Sequence, residues 1–326
     1  MERFTMNEQK DRFGRQIDYM RISVTDHCNL RCVYCMPEEV QQFLPKTMLL
    51  TLEQWETVCK AAAGIGICKI RITGGEPLMR EDIVELVARI ANIKGIKCVV
   101  MTTNGVLLAQ KAKALQKAGL QGVNISLDTL DREQYQALTK RDALSDVQKS
   151  IAVCQQIGLQ VKINCVPVSG FAKQDFLKVA MLAKQSSVAV RFIEMMPIGA
   201  GTAYQPIQNA TIQKQLTEKY GIWTQVQTEE NGSPATYWDN ENFLGKIGFI
   251  SPQSHRFCHA CNRIRVTAEG KLKLCLHHSA DGDLKMLLEK GADITQIQRY
   301  FAEKIWQKPK DGYTTDEKRP MWKIGG

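Results

Sequence analysis

The chain has 326 residues, of which 44% are hydrophobic and 24% charged, the proportions of a globular protein that folds in water. Its 43 Lys and Arg exceed its 34 Asp and Glu, so the formal charge is +9, which suits a polyanionic partner. The basic residues are scattered, and no run of about 18 apolar residues could cross a bilayer. We therefore expect neither a nucleic-acid nor a membrane partner, which leaves a phosphorylated small molecule or a merely basic surface.

The opening residues and the cysteines indicate the compartment. The stretch MERFTMNEQKDRFGRQI is polar and lacks the apolar core of a secretory signal, so we expect a cytoplasmic protein. In a reducing compartment the 11 cysteines should not form disulfides. Six of them fall in two clusters, and the other five are expected to be small buried hydrophobes: Cys59, Cys68, Cys98, Cys154 and Cys165.

Six β-rich runs in the first 200 residues alternate with segments of helical period, such as REDIVELVARIANI and QKAKALQKAG. This alternation predicts an α/β fold in which parallel strands pack against outer helices. Six units are too few for a closed eight-stranded barrel, so we expect an open or partial (βα)6 barrel. The predicted strands are 19–25, 69–75, 97–105, 122–128, 160–166 and 188–194.

Polar and glycine-rich residues lie at the ends of the predicted strands. The second strand ends in TGGEP (73–77), the third ends in TTNG (102–105), and the fourth carries Asn124 and Ser126. Each stretch alone is ordinary turn chemistry. Such barrels bind ligands at the carboxyl ends of their strands, so together with the cysteine loop after the first strand they predict a site at one rim.

The composition changes after residue 200, where GAGTAYQPIQ is typical of a linker. We therefore predict two units, a barrel over 1–200 and a C-terminal α+β region over 201–326. In the second unit we predict short strands within 223–275 and helices at 208–219, 283–290 and 294–306.

The stretch HCNLRCVYC holds three cysteines and offers no fourth: Cys28, Cys32 and Cys35. Soft thiolates select zinc, copper(I) or iron–sulfur clusters, and the C-x3-C-x2-C spacing does not match the paired C-x2-C units of structural zinc sites. A [4Fe–4S] cluster held by three thiolates keeps one iron free for an exogenous ligand. The loop therefore predicts an open cluster.

A second stretch, CHACNRIRVTAEGKLKLC, again holds three cysteines: Cys258, Cys261 and Cys275. One interpretation is another open cluster. The other is a zinc ribbon whose fourth ligand would be His259, His277 or His278.

Two arginines, Arg263 and Arg265, lie between the cysteines of this second set. Strand alternation places both on one face. Paired guanidinium groups beside a metal cluster suit an anion such as a triphosphate, which arginine binds bidentately. The alternative is a solvated strand face.

The first cysteine spacing, with the aromatic Tyr34 before the third cysteine, resembles the radical S-adenosylmethionine (SAM) superfamily. Further motifs occur in order, and together they resemble the GTP 3′,8-cyclase (MoaA) family, the radical SAM enzymes that open molybdenum cofactor biosynthesis. These motifs are RISVTDHCNLRCVYCMP, RITGGEPLMR, TTNG, NISLDTLD, VKIN, VRFIEMMPIG, FCHACNRIRVTAEGKLKLCL and a Gly-Gly end. They cover nearly the whole chain.

The resemblance implies a partial (βα)6 radical SAM barrel closed by a C-terminal region, with SAM and two [4Fe–4S] clusters as cofactors. In that family SAM yields a 5′-deoxyadenosyl radical that takes hydrogen from ribose C3′ of GTP. C3′ then bonds to C8 of the same guanine, giving 3′,8-cyclo-7,8-dihydro-GTP. The resemblance further implies an external one-electron donor, a homodimer, and cyclic pyranopterin monophosphate synthase as the downstream enzyme.

Residue roles also follow from the resemblance, motif by motif. The first cluster would be held by Cys28, Cys32 and Cys35, and the second by Cys258, Cys261 and Cys275. SAM would lie against Tyr34, Gly74, Gly75, Glu76, Pro77, Ser126 and Met196. GTP would contact Arg21, Lys69, Arg71, Thr102, Lys162, Arg191, Arg263, Ile264 and Arg265. Catalytic roles would fall to Arg21, Arg263, Arg265 and the tail glycines Gly325 and Gly326, because glycine passes where a side chain would collide.

Two alternatives are weighed against this interpretation. A peptide-modifying radical SAM enzyme would also carry an auxiliary cluster, but usually with more than three C-terminal cysteines. A zinc-ribbon nucleic-acid binder would use the basic face, but it leaves the first cysteine set and the GGEP and TTNG stretches unexplained.

Overall fold

The computed structural model describes residues 10–36, 42–169, 176–227, 233–312, 317 and 319–325. The strands are β1 (Tyr19–Ser23), β2 (Lys69–Thr73), β3 (Cys98–Thr103), β4 (Gly122–Ser126), β5 (Gln160–Cys165), β6 (Ala189–Ile193), β7 (Thr224–Val226), β8 (Ala235–Asp239), β9 (Ile247–Ile250), β10 (Arg263–Val266), β11 (Lys271–Lys273) and β12 (Gly282–Asp283). The helices are α1 (Leu52–Gly64), α2 (Ile83–Ala91), α3 (Leu108–Lys117), α4 (Arg132–Thr139), α5 (Leu144–Gln156), α6 (Phe176–Gln185), α7 (Asn209–Tyr220), α8 (Leu284–Glu289), α9 (Ile294–Trp306) and α10 (Met321–Ile324). Short 3₁₀ turns cover Lys46–Met48, Pro77–Met79, Gly199–Ala203 and Cys258–Ala260.

The strands form one sheet in the order β12-β11-β10-β1-β2-β3-β4-β5-β6-β9-β8-β7. From β1 to β6 each strand pairs in parallel with the next along the chain, as six successive βα units require. Successive side chains along a strand alternate between the apolar core and the interior of the barrel. In β2, Ile70 and Ile72 belong to the apolar core, whereas Lys69 and Arg71 line an interior cavity.

The C-terminal segment extends this sheet at both ends. Strand β9 pairs in parallel with β6, and β10 pairs in parallel with β1. The second pairing sets Tyr19 opposite Arg263 and Arg21 opposite Arg265. A strand near residue 264 therefore becomes the immediate neighbour of the first strand of the barrel.

Amphipathic helices cover the outer face of the sheet. In α2 the residues Ile83, Leu86, Val87 and Ile90 are buried at helical spacing and belong to the main apolar core. Helix α1 begins at a capping box in which the Thr51 hydroxyl accepts the amide hydrogen of the residue three positions on. Helix α9 begins with the same device and packs against α1.

The strands and helices agree with the pattern of the sequence. Each of the six predicted barrel strands is present to within two residues at either end, and the partial-barrel prediction is confirmed. The three C-terminal helices predicted at 208–219, 283–290 and 294–306 correspond to α7, α8 and α9. Among the described residues no helix combines the length and the apolarity needed to cross a bilayer.

Candidate active site

A cavity of about 650 Å³ lies inside the barrel and is lined by residues from both cysteine sets. The cysteines at its wall are Cys28, Cys32, Cys35, Cys258, Cys261 and Cys275. The other predicted site residues at its wall are Arg21, Tyr34, Lys69, Arg71, Gly74, Gly75, Thr102, Ser126, Arg191, Met196, Arg263 and Arg265. One chamber thus collects residues from seven different strands or the loops beside them.

The first cysteine set lies on the loop that follows β1. The amides of Arg31 and Val33 donate to the carbonyls of Thr139 and Leu138 at 2.9 and 3.0 Å, which fixes the loop on the end of α4. Burial raises the pKa of the three thiols, to about 11 for Cys28 and about 12 for Cys35, and the neighbouring thiols add to the shifts of Cys32 and Cys35. Three thiolates so close together need a compensating positive charge, which an iron–sulfur cluster supplies.

The glycines of the GGEP stretch let two loops approach closely. A Cβ on Gly75 would lie 2.4 Å from the carbonyl oxygen of His27, and one on Gly74 would lie 2.5 Å from that of Thr25. The Gly75 amide donates to the Thr25 carbonyl at 2.7 Å. The glycines therefore seat the second strand end against the start of the cysteine loop while still lining the cavity.

The carboxylate of Glu76 joins two strand ends. It is fully buried and accepts the Thr103 hydroxyl and the Asn104 amide, each at 2.7 Å, and the Leu78 amide at 3.0 Å. Burial raises the pKa of Glu76 to about 7, although these three donors act in the opposite direction. Glu76 thus ties the GGEP stretch to the TTNG stretch.

Asp128 holds the aromatic residue of the first cysteine loop in place. The Tyr34 hydroxyl donates to the Asp128 carboxylate at 2.5 Å, and the Val166 amide donates to the other carboxylate oxygen at 2.7 Å. Burial raises the pKa of Asp128 to about 6. Asp128 was not among the predicted site residues, although it stands in the NISLDTLD stretch, two residues after Ser126.

The second cysteine set lies at the opposite end of the same strands, before β10 and after β11. Burial acts against ionisation of Cys261, but the positive charges of Lys308 and Arg263 lower the pKa of its thiol to about 7. The buried Lys308 ammonium donates to the carbonyls of Arg263, the first residue of β10, and Leu274, the residue after β11. A thiol that ionises near neutrality is a ready metal ligand.

Between the two cysteine sets, arginines from three adjacent strands meet on one face. Arg21 lies opposite Arg71 of β2 on one side and Arg265 of β10 on the other. Burial, and then the charge of Arg265, lower the pKa of Arg21; burial and Arg263 lower that of Arg265 to about 10. The buried Nε and Nη2 of Arg263 have no hydrogen-bond partner within the described residues.

This arginine cluster, with Lys69 and Arg191, faces only two acidic residues in the described cavity wall, Asp18 and Glu194. Tyr19 also interacts with these positive charges, because its hydroxyl accepts a hydrogen bond from Arg71 Nε. Burial opposes ionisation of this phenol, but the charges of Arg71 and Arg21 lower its pKa to about 8. Such an excess of buried positive charge is suited to a polyanion.

The last described residue, Gly325, reaches the arginine cluster. Its carbonyl accepts a hydrogen bond of 2.8 Å from Arg265 Nη1. Its φ is +87°, and a Cβ there would lie 2.8 Å from the Cβ of Ser23. Glycine is therefore required at this position by both conformation and space. The other tail glycine, Gly326, lies outside the described residues.

Five predicted site residues with described positions do not line the cavity: Glu76, Pro77, Lys162, Ile264 and Gly325. Pro77 begins a 3₁₀ turn, and the side chain of Ile264 is in the apolar core, so only its backbone could meet a substrate. Lys162 lies on the same face of β5 as the cavity-lining Asn164. Their assigned roles stay predictions.

The donor chemistry of both cysteine sets fits iron–sulfur clusters. No three His, Cys, Asp or Glu side chains converge as they would around a single metal ion, in the part of the chain that the structure describes. A four-iron cube is bound at separate corners, so its cysteines surround it and do not meet at one point.

Two family models match successive parts of the chain. Residues 22–183 match the model of the radical SAM superfamily, and residues 188–314 match the model described as Molybdenum Cofactor Synthesis C. The barrel and its cysteine loop therefore define a radical SAM enzyme, and its cofactors are SAM and [4Fe–4S] clusters. The chain belongs to the GTP 3′,8-cyclase family.

The similarity to curated family members extends over almost the whole chain. The GTP 3′,8-cyclase of Clostridium perfringens is 41% identical over 322 residues, which are 97% of this chain and 100% of that protein. The GTP 3′,8-cyclase of Pelotomaculum thermopropionicum is 42% identical over 324 residues, with the same shares.

A solved structure shows the same fold at low identity. SuiB of Streptococcus suis, in its complex with S-adenosylmethionine, superposes with a TM-score of 0.56 at 16% identity. The match covers 88% of this chain and 68% of that one. At this identity the likeness shows the fold alone.

Proposed function

We propose that this protein binds GTP in the arginine-lined cavity and converts it into 3′,8-cyclo-7,8-dihydro-GTP, the first step of molybdenum cofactor synthesis. The observation that carries the proposal is the arginine cluster between two open cysteine sets in one chamber. The family assignment supports the same substrate, because the curated relatives are named GTP 3′,8-cyclases.

The two cysteine sets would each hold a [4Fe–4S] cluster, Cys28, Cys32 and Cys35 the first and Cys258, Cys261 and Cys275 the second. With SAM bound, the first cluster supplies the radical chemistry that no side chain can provide. Tyr34, Gly74, Gly75, Ser126 and Met196 lie at that end of the cavity wall and are the proposed SAM contacts. Glu76 and Pro77 would act by shaping the loop that carries Gly75.

The proposed GTP contacts are the cations of the central strands. Arg21, Arg71, Arg263 and Arg265, with Lys69, Lys162 and Arg191 near them, would bind the triphosphate through charge-assisted hydrogen bonds. Thr102 lines the cavity and would contact a ribose or phosphate oxygen. Ile264 lies between Arg263 and Arg265 in β10, and its backbone is the proposed contact. Holding one molecule at both ends in a near-attack geometry can lower the barrier by about 7–11 kcal/mol.

Gly325 and Gly326 are proposed to complete the site from the tail. The Gly325 carbonyl aligns Arg265, and no side chain at this position separates the tail from Ser23. Arg21, Arg263 and Arg265 would stabilise negative charge on the substrate during ring closure.

We propose a cytoplasmic homodimer that receives its electrons from an external one-electron donor and passes its product to cyclic pyranopterin monophosphate synthase. We further propose a functional division near residue 200, with SAM and the first cluster held by 1–200, and the second cluster, the GTP-binding Arg263 and Arg265, and the Gly-Gly tail in 201–326.

The test is GTP-dependent turnover by anaerobically reconstituted protein. We expect about eight irons per chain, formation of 5′-deoxyadenosine only with GTP, and transfer of deuterium from C3′-labelled GTP into it. Cys28→Ala and Cys258→Ala should each lose about four irons, whereas Cys154→Ala, in the apolar core, should lose none. Stimulation by a peptide and not by GTP would favour the peptide-modifying alternative and overturn the proposal.

A further inference from the structure

The C-terminal tail, of which the structure describes residues 317 and 319–325, connects the two ends of the cavity. Near its start, Glu317 contacts Lys273 on β11, two residues before Cys275. In its middle, Trp322 lines the cavity, and its backbone amide lies near enough to Cys35 to act against the rise in the pKa of that thiol. At its end, the Gly325 carbonyl meets Arg265. The tail therefore touches both cysteine ends and the arginine cluster.

The contact between Lys273 and Glu317 is a buried ion pair. The side chain of Lys273 is 0% exposed and that of Glu317 is 2% exposed. The Lys273 ammonium also donates to the His278 carbonyl. The Glu317 carboxylate also accepts the Arg319 amide at 2.8 Å, and Arg319 in turn pairs with Glu269 at 2.9 Å. Arg319 Nε also pairs with Glu317 at 3.3 Å and moves with the tail, so Lys273 is the charge that is compensated only while the tail lies in place.

The path beyond this pair is closely fitted to the barrel. Gly199, on the loop after β6, has φ of +56°, and a Cβ there would lie 2.9 Å from the Cα of Pro320. Trp322 and Ile324 are buried. A shift of the tail along this path would move the Trp322 amide and the Gly325 carbonyl together.

We propose that Lys273 and Glu317 are positioning residues that fix the register of the tail, so that the Trp322 amide reaches Cys35 while the Gly325 carbonyl reaches Arg265. The relevance of this register to catalysis rests on the proposed function; the anchoring itself does not. Removing one partner leaves a buried uncompensated charge, which is strongly unfavourable. Lys273 can then be hydrated only if the tail that covers it lifts away.

The experiment measures tail release in the reconstituted holoenzyme without GTP. Trypsin cleaves after Lys323 only when the tail is open, and intact-mass spectrometry detects the loss of the last three residues. We expect cleavage about 10- to 100-fold faster in Glu317→Ala than in the unmodified protein. The matched control is Asp142→Asn, which breaks the exposed pair with Arg132 and should leave the rate unchanged.

Two further variants separate anchoring by charge from loss of packing. Lys273→Met should also speed cleavage, because the buried Glu317 then keeps only Arg319, on the tail itself, as a charged partner. The double variant Lys273→Met, Glu317→Met leaves no buried charge, so cleavage should return toward the rate of the unmodified protein. A double variant as fast as the single ones would overturn the inference.

The EPR spectrum of the first cluster tests the register of the tail separately from proteolysis. Because the Trp322 amide lies beside Cys35, release of the tail should change the EPR spectrum of the reduced first cluster in Glu317→Ala and not in Asp142→Asn. Glu317→Ala with full iron content, an unchanged spectrum and a cleavage rate within about twofold of the control would refute the anchor. Neither readout contains GTP, so failure of the cyclisation assay alone would refute only the proposed function.

Discussion

Replacing Arg265 by methionine should separate ligand binding from stability. Methionine keeps most of the side-chain volume but removes the guanidinium of Arg265, a residue that is 8% exposed and donates to the Gly325 carbonyl at 2.8 Å. Loss of a charge-assisted hydrogen bond costs about 1.5–3 kcal/mol, so the Kd for GTP should rise about 10- to 100-fold.

The stability of the GTP-free protein should change much less than its affinity for GTP. Burial and the charge of Arg263 hold the pKa of Arg265 at about 10, below its ordinary value of 12.5. That difference corresponds to about 3 kcal/mol by which the folded state disfavours the charged side chain at neutral pH. Its removal offsets the lost tail contact, so the free energy of unfolding should not fall by more than about 1 kcal/mol.

Anaerobic equilibrium dialysis measures the GTP affinity, and urea unfolding of the same reconstituted samples measures stability. Arg132→Met is the control, because Arg132 is exposed and is not part of the cavity wall, and it should change neither quantity. Unchanged GTP affinity in Arg265→Met, or equal losses of affinity and stability, would refute the assignment of this arginine as a site held charged for an anion.

Three further predictions concern the cavity wall. Gly75→Ala should displace the cysteine loop and prevent full iron incorporation, because its Cβ would lie 2.4 Å from the His27 carbonyl; normal iron content would contradict this. The pKa of Glu76 is raised by burial to about 7, so the unmodified protein should gain stability relative to Glu76→Gln as the pH falls from about 8 toward 5, by at most about 3 kcal/mol in urea titrations. A constant difference would show that Glu76 is ionised throughout. The ultraviolet difference between the protein and Tyr19→Phe should titrate near pH 8, and GTP should raise that midpoint, since a triphosphate offsets the charges of Arg71 and Arg21; an unmoved midpoint would place the triphosphate elsewhere.

The barrel could be predicted from the sequence because its signals are local. Strand β2, for example, reads KIRIT, in which Ile70 and Ile72 face the core and Lys69 and Arg71 face the cavity. The helix boundaries follow from periodicity and caps, as in α9, which begins after Asp293. Both cysteine sets were likewise visible as short motifs.

Contacts between distant segments could not be predicted in this way. Glu317 and Lys273 are 44 residues apart, and Tyr34 and Asp128 are 94 residues apart. Each partner alone is an ordinary charged or aromatic residue in its local stretch. Only the pairing of strands and the path of the tail decide that these side chains share a buried space.

The parallel pairing of β10 with β1 explains why one cavity contains both cysteine sets. Cys28 follows β1 at its carboxyl end, whereas Cys261 precedes β10, whose first residue lies opposite the first residue of β1. The two sets are therefore separated by the length of a five-residue strand, about 16 Å, with Arg21 and Arg265 between them. A ligand that reaches from one cluster end toward the other must pass this arginine cluster. An elongated molecule with a polyanionic segment and a base at one end satisfies that requirement, which is why the strand register supports a nucleoside triphosphate as the substrate.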